Sequence, residues 1–208
     1  SKNQLLLDVS HELRSPLTRI KVALEFLSDE NTKNSINDDV SEIETMISEI
    51  LESERLNNDY GKILKADVNL INIINEIYND FNNLPPGLMI EKNLQDYILK
   101  ADRDRMATAL KNIIENAMKF SRDSDKPVKI SINKTNTHIE ILISDSGIGI
   151  SEEDLKFIFE PFYKADRSRS KYKGGYGLGM NLSKKINEAH GGTIQITSQL
   201  QKGTTAKI

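Results

Sequence analysis

The sequence predicts an all-α helical hairpin followed by an α+β sandwich, a sheet with helices on one face. Three observations lead there. Residues 1–60 contain no glycine and one proline, and their apolar residues repeat at helical spacing. From Gly61 onward glycines and prolines enter, with runs that alternate apolar and polar residues as half-buried strands do. Between those runs lie longer segments with the helical period. The change in composition sets a domain boundary near 61–66 and divides the chain into 1–62 and 63–208.

In the first part Leu6, Leu13, Ile20 and Leu27 recur every seven residues, with Leu17 and Leu24 on the neighbouring line. That is a helix with a heptad-like seam. The polar segment DENTKNS, residues 29–35, is predicted to end it as a turn. A second helix follows on Ile36, Val40, Ile43, Ile47 and Ile50. Two amphipathic helices joined by a short loop form an antiparallel hairpin. Such a pair cannot enclose a seam alone. A second copy would complete a four-helix bundle as a dimer; alternatively the seam packs on the second part of the chain.

In that second part LINIINEIYNDF reads as a helix, LMIEKNL and YILKAD as short strands, and RDRMATALKNIIENAMKFS as a long helix. VKISINKT and HIEILISDSG are alternating strands around Asn136 and Thr137, a hairpin signal. EEDLKFIF is a short helix and GLGMNLSKKINEAH another. GTIQITSQ is a strand ended by QKG, ahead of the strand-like tail TTAKI.

The 208 residues are 38% hydrophobic and 28% charged, the balance of a globular chain rather than a disordered one. No apolar run is long enough to span a bilayer, and no signal peptide is visible. A net charge of −3 argues against a dedicated nucleic-acid binder. The absence of cysteine removes disulfides and cysteine-ligated zinc, and fits a reducing compartment. The sequence begins without Met inside a helical pattern, so it reads as a fragment of a longer protein.

Two glycine-rich segments invite nucleotide readings. DSGIGIS lacks the dinucleotide fingerprint, because Glu152 stands where the third glycine belongs. GGYGLGMN lacks the Walker pattern, because no Lys-Ser/Thr follows Gly179. What remains is Gly175-Tyr176-Gly177-Leu178-Gly179 running into a helix. Glycines let backbone approach a phosphate, and a helix start offers unpaired N–H groups. Alone, the same loop is equally a tight turn.

On the helix KNIIENAMKFS, Asn112, Asn116 and Lys119 sit at i, i+4 and i+7, one face. Asparagine is a poor residue for an exposed helix interior. Two of them with a lysine suit a hard cation and a phosphate, through amide oxygens and an ammonium. A merely solvated face explains the same stripe. Asp145 ends an apolar strand; it either caps the turn or accepts from a ligand amine, and the cap is the simpler reading. His11 falls outside the seam and is expected to face solvent beside Glu12. HELRS is no zinc motif, since Ser15 stands where a second histidine would be. By itself His11 is a surface histidine.

Taken in order, SHELRSPLTRI, NIIENAMKFS, DSGIGI, IFEPFYKADRSRS and GGYGLGMNLSKKI resemble the H, N, G1, F and G2 boxes of sensor histidine kinases. The resemblance covers essentially the whole chain, and five boxes in order are specific where one is not. HELRSPLTR also resembles, more weakly, the envelope-stress sensor kinases of bacteria. The resemblance implies that the first part is a HisKA-type dimerisation and phosphoacceptor hairpin. It gives the second part the ATP-binding fold shared with gyrase and Hsp90-type ATPases. ATP and Mg²⁺ follow as cofactors, a homodimer through the hairpin, and a response-regulator receiver domain as partner, with no nucleic acid. The fragment would be the cytoplasmic portion of an inner- or cell-membrane sensor, joined to the membrane through segments missing from the sequence.

Position by position, the resemblance makes His11 the phosphoacceptor and Glu12 the acid that draws the ring proton as Nε2 attacks the γ-phosphate. Asn116 matches the Mg²⁺-chelating asparagine and Asn112 its support. Lys119 matches a phosphate contact and Phe120 a residue lying against the nucleotide. Asp145 matches the reader of the adenine amine, with Gly147 and Gly149 giving backbone clearance. Gly175, Gly177, Leu178 and Gly179 match the loop over the triphosphate, and residues 164–174 the ATP lid. The implied reaction is ATP-dependent autophosphorylation of His11, then transfer to an aspartate of the regulator, with neutral imidazole as nucleophile.

The family's hairpin also dephosphorylates the regulator through the residue four after the histidine, usually Thr or Asn. Here it is Ser15, which keeps a hydroxyl. Two other classes stand beside the kinase: a degenerate kinase that only scaffolds a regulator, and an ATPase with water as acceptor. The intact boxes argue against the first, and the histidine-bearing hairpin against the second. Tyr176 departs from the family's usual threonine and Asn181 from its usual small residue. His190 is expected to be structural and His138 to lie on the surface. Pro16 removes the hydrogen bond to the Glu12 carbonyl, which is expected to loosen the helix one turn after the nucleophile.

Overall fold

The computed structural model describes residue 13 and residues 15–57, 63–91, 97–121, 124–165 and 175–208. The chain divides into two compact units, Ser1–Gly61 and Lys62–Ile208. In the first, residues 15–24 form helix α1 and Glu30–Asn57 form α2. Pro16 lies inside the helical residues; the loosening expected at Glu12 falls outside the described residues.

The turn between the helices comes earlier than DENTKNS predicts. It occupies residues 25–29, and everything in that segment after Asp29 is helical. Asp29 is the reason: its Oδ2 accepts from the Thr32 N–H at 3.2 Å and from the Thr32 hydroxyl. Asp, Asn, Ser and Thr start helices as readily as they make turns, so polarity alone does not separate the two. The seam is also distributed differently from its spacing. Leu17, Leu24 and Val40 are buried, while Leu13, Ile20 and Leu27 are 43%, 41% and 37% exposed. Within one chain the hairpin covers the Leu17–Leu24 line and leaves the seven-residue line outside. Lys21 and Glu44 pair across the two helices at 2.7 Å.

The second unit holds two sheets. Strands β1 (Ala66–Asn69) and β3 (Ile98–Ala101) pair antiparallel. The main sheet has the order β2-β4-β5-β7-β6, with β2 Leu88–Ile90, β4 Val128–Lys134, β5 Ile139–Ser144, β6 Gln195–Gln199 and β7 Gly203–Lys207. Its pairs are antiparallel except β2 with β4. Alternation sends Ile130 and Ile132 of β4 and Ile141 and Ile143 of β5 to the core, and the register sets Ile130 opposite Ile143. Helix α3 (Leu70–Phe81) adds Ile73, Ile74 and Ile77, and α4 (Arg103–Phe120) adds Leu110, Ile113 and Ile114 to the same core. Each such side chain contributes about 1.5–3 kcal/mol when fully buried.

Short α5 (Glu152–Leu155) ends well before Phe159, where EEDLKFIF predicts continued helix; the rest is turn, with Phe157 stacked near Tyr163 at 5.5 Å. Helix α6 (Gly179–His190) joins α4 through the buried Ser183 hydroxyl, which donates to the Ala109 carbonyl at 3.1 Å. His190 is structural, as expected. Its Nδ1 lies 2.8 Å from the Ile186 carbonyl, which only accepts, so Nδ1 carries the proton. Nε2 then accepts from the Asp102 N–H at 2.9 Å, at the cap of α4. His138 is exposed at the β4–β5 turn, beside the Thr135 and Thr137 hydroxyls. Among the described residues no helix is long and apolar enough to cross a membrane.

Candidate functional site

Helix α4 is the scaffold. Asp102 starts it, accepting from the Arg105 N–H at 3.3 Å, and its apolar side is buried on the sheet. Asn112, Asn116 and Lys119 are therefore left half-buried on a different side. Asn112 Nδ2 donates to the Gly179 carbonyl at 3.4 Å, which ties the stripe to the end of the glycine loop. Asn116 differs: among the described residues its amide has no hydrogen-bond partner. A half-buried amide on this face fits an oxygen donor to a hard cation that keeps water and phosphate as its other ligands.

Lys119 Nζ lies 5.1 Å from the centroid of the Phe120 ring, and Phe120 is 40% exposed. A methyl built on Gly175 would stand 3.9 Å from that Nζ, so the glycine loop passes beside the ammonium. Burial pushes the Lys119 pKa down, and the charge of Lys164 pushes it the same way. An anion beside Lys119 would oppose both effects.

Asp145 follows β5. Its Oδ1 accepts from the Gly147 N–H at 2.8 Å and the Thr204 N–H at 3.2 Å. Burial raises its pKa, and those two donors oppose the rise. Among the described residues both bonds fall on Oδ1, which leaves Oδ2 for an incoming donor. The cap on Oδ1 is therefore compatible with a ligand on Oδ2.

The clearance at Gly147 and Gly149 is used by the protein's own backbone. A methyl on Gly147 would lie 2.2 Å from the Phe120 carbonyl oxygen, and one on Gly149 would lie 2.1 Å from the Gln199 carbonyl oxygen. The Ile148 N–H donates to the Phe120 carbonyl at 3.2 Å, and the Ile148 carbonyl accepts from the Gln201 N–H at 2.8 Å. The turn is thus wedged between the end of α4 and the β6–β7 hairpin. Gly177 needs both freedoms of glycine: φ is +77°, and a methyl there would sit 2.4 Å from the Tyr163 carbonyl oxygen. Leu178 is buried and anchors the loop, so only its backbone is available to a ligand. Gly179 lies against Asn112, where a methyl would be 3.3 Å from Cγ.

Asn112, Asn116, Lys119 and Phe120 stand on α4, and Gly147, Gly175 and Gly179 pack against it, Gly147 beside Asp145, while Gly149 packs on Gln199 and Gly177 on Tyr163. Ser15 is exposed on α1. His11, Glu12 and residues 166–174 of the expected lid lie outside the described residues. Sequence reasoning missed the β6–β7 hairpin, reading QKG only as a strand end. Yet Thr204 holds Asp145, and a methyl on Gly203 would stand 2.0 Å from the Asp145 carbonyl oxygen. That contact follows from β5 pairing with β7, Ser144 opposite Thr205, across a separation no local pattern reveals. Asn181 has a reason too: its Nδ2 donates to the Phe159 carbonyl at 2.8 Å, holding the turn after α5.

Comparison with known proteins adds to this geometry. Residues 101–208 match the family described as histidine kinase-, DNA gyrase B- and HSP90-like ATPase, and residues 1–59 match the His Kinase A (phospho-acceptor) domain. The signal transduction histidine-protein kinase ArlS of Staphylococcus epidermidis (strain ATCC 12228) is 35% identical over 220 residues, covering 100% of this chain and 48% of the relative. ArlS of Staphylococcus aureus (strain USA300) is 32% identical over 218 residues, with the same coverage. The chain spans about half the length of the curated relatives it matches. Among solved structures, full-length ShkA in complex with AMPPNP is similar at a TM-score of 0.80 and 20% identity, over 98% of this chain and 44% of that one. The histidine kinase AdeS of Acinetobacter baumannii is similar at a TM-score of 0.69 and 25% identity, over 95% of this chain and 96% of that one.

Proposed function

The chain belongs to the sensor histidine kinases of two-component systems, and on that premise we propose that it phosphorylates itself on His11 with ATP. It then passes the phosphoryl group to an aspartate of a response-regulator receiver domain. The observation that carries the reading is the junction on α4, where the asparagine stripe, Lys119, the Asp145 turn and the glycine loop meet. The AMPPNP bound by the similarly folded ShkA supports a nucleotide there.

In this reading Asp145 Oδ2 accepts from the adenine amine while Oδ1 keeps its two backbone donors. Lys119, whose proton affinity burial lowers, meets the phosphates, with Phe120 lying against the nucleotide. The backbone of Gly175 to Gly179 borders the triphosphate. Asn116, steadied by the neighbouring tie of Asn112 to Gly179, would hold Mg²⁺, which when bound supplies positive charge to the phosphate oxygens. His11 Nε2 attacks the γ-phosphorus as ADP leaves, and Glu12 takes the ring proton. Positioning supplies much of the acceleration.

Residues 1–62 are the dimerisation and phosphotransfer hairpin, and 63–208 the catalytic ATP-binding domain. The exposed Leu13–Ile20–Leu27 line supports a homodimer that closes a four-helix bundle. Ser15, exposed with its hydroxyl, orients water for dephosphorylation of the regulator. The chain is the cytoplasmic portion of a longer membrane sensor, a reading supported by relatives about twice its length.

The test is incubation with γ-labelled ATP and Mg²⁺. Acid-labile, base-stable label on the wild type and none on His11→Gln is the expected result. No label on the wild type sinks the kinase; label surviving in His11→Gln sinks the site.

A further inference from the structure

One hydroxyl joins both ends of the turn that follows β5. Ser198 lies half-buried on β6, where the register sets it opposite Thr204 of β7. Its Oγ accepts from the Ile150 N–H at 2.8 Å, donates to the Gly203 carbonyl at 2.9 Å and stands 2.8 Å from the Thr204 Oγ1. A serine hydroxyl has one proton and two lone pairs. The Gly203 carbonyl only accepts, so the proton goes to Gly203 and the Thr204 hydroxyl donates to Ser198. Ser198 Oγ then accepts twice and donates once, and its capacity is fully used. Ile150 is the far end of the turn. Gly203 and Thr204 hold its start: the Asp145 N–H donates to the Thr204 carbonyl at 2.8 Å, and the Thr204 N–H donates to Asp145 Oδ1 at 3.2 Å.

We propose that Ser198 is a positioning residue for base recognition: it holds Gly203 and Thr204 to the Asp145 turn, and so fixes the direction in which Asp145 Oδ2 meets the amine of the purine. The two oxygens of a carboxylate turn together. Oδ1 is aimed by the N–H groups of Gly147 and Thr204, and Oδ2 points where that leaves it. Without the Ser198 hydroxyl the Ile150 N–H and the Gly203 carbonyl lose the bonds that tie one end of the turn to the other, and the Thr204 N–H is no longer held at Oδ1. A site built to accept from an amine rejects a base that lacks one, and that discrimination depends on aim. The inference rests on the nucleotide reading above and adds a residue that acts through Asp145 and needs no contact with the ligand.

The experiment measures binding of ATP and of inosine triphosphate, which carries an oxygen where ATP carries the amine, to the chain by titration calorimetry. The wild type is expected to prefer ATP. Ser198→Ala is expected to weaken ATP binding about fivefold, the size of one neutral hydrogen bond. It leaves the binding of inosine triphosphate unchanged, so the preference for ATP falls by the same factor. Ser198→Thr, which keeps the hydroxyl and suits a strand, retains the wild-type preference. Unchanged ATP affinity in Ser198→Ala overturns the inference. So does Ser198→Ala weakening both nucleotides alike, which is the mark of a merely structural role, or Ser198→Thr behaving as Ser198→Ala. A wild-type chain that binds no ATP, or binds inosine triphosphate as tightly, overturns the reading of the site itself, a result distinct from variants that bind as the wild type does.

Discussion

Gly147→Ala tests whether the first glycine turn is shaped by the protein's own packing. The added methyl would fall 2.2 Å from the Phe120 carbonyl oxygen and 2.7 Å from its carbon, both inside the 3.0 Å that real Cβ atoms keep. The obstacle is the last residue of α4, backbone that cannot rotate away. Relief requires the turn to back off by most of an ångström. That stretches the 3.2 Å bond from the Ile148 N–H to Phe120 and the 2.8 Å bond from the Gly147 N–H to Asp145. Overpacking costs about 1–3 kcal/mol, and each weakened hydrogen bond contributes about 1 kcal/mol. With partial relaxation the loss comes to about 2–4 kcal/mol, a fall in melting temperature of about 6–12 °C for a unit of this size. Thermal denaturation followed by circular dichroism, without nucleotide, measures it. Gly192→Ala is the control, because its methyl would meet nothing closer than 3.4 Å. A Gly147→Ala protein that melts with the control, yet loses ATP binding, would refute the packing argument and return the glycine to the ligand.

Two further outcomes follow from other parts of the structure. Burial raises the Asp145 pKa, so its contribution to stability is complete below the unfolded carboxylate value of about 3.9 and is lost as pH rises through the folded value. Asp145→Asn is therefore expected to melt above the wild type at pH 7, with the gap closing as the pH falls, while ATP affinity drops; a gap that widens on acidification would contradict this. In the hairpin, Ile20→Glu places a charge on the exposed heptad line and is expected to convert a dimer to a monomer in analytical ultracentrifugation, leaving the melting of the second unit unchanged. A dimer that survives would move the interface elsewhere.

Periodic features were legible without a structure. The strands at Val128–Lys134 and Ile139–Ser144 and the helices at Leu70–Phe81 and Arg103–Phe120 each repeat their apolar residues often enough to declare a period. β1, four residues long, does not, and it went unread. The polar segment after Asp29 was misread for a different reason: the same side chains serve turns and helix starts, and the bond from Thr32 decides between them. For the site, residue types and their order were enough to gather Asn112, Asn116, Lys119, Asp145 and the glycine loop into one family pattern.

What those residues do to one another was not in the pattern. Sequence determined that a carboxylate follows β5 and that glycines follow the carboxylate. Only the tertiary structure decided that Thr204, from a strand far along the chain, holds one oxygen of that carboxylate, and that Phe120 is what Gly147 must avoid. It also decided which leucine line the hairpin buries and what Asn181 touches. The physical reason is range. Propensity, capping and periodicity act over a few residues and leave marks in the local sequence. Sheet register and helix packing join residues far apart in the chain, and such contacts leave their mark only on shape.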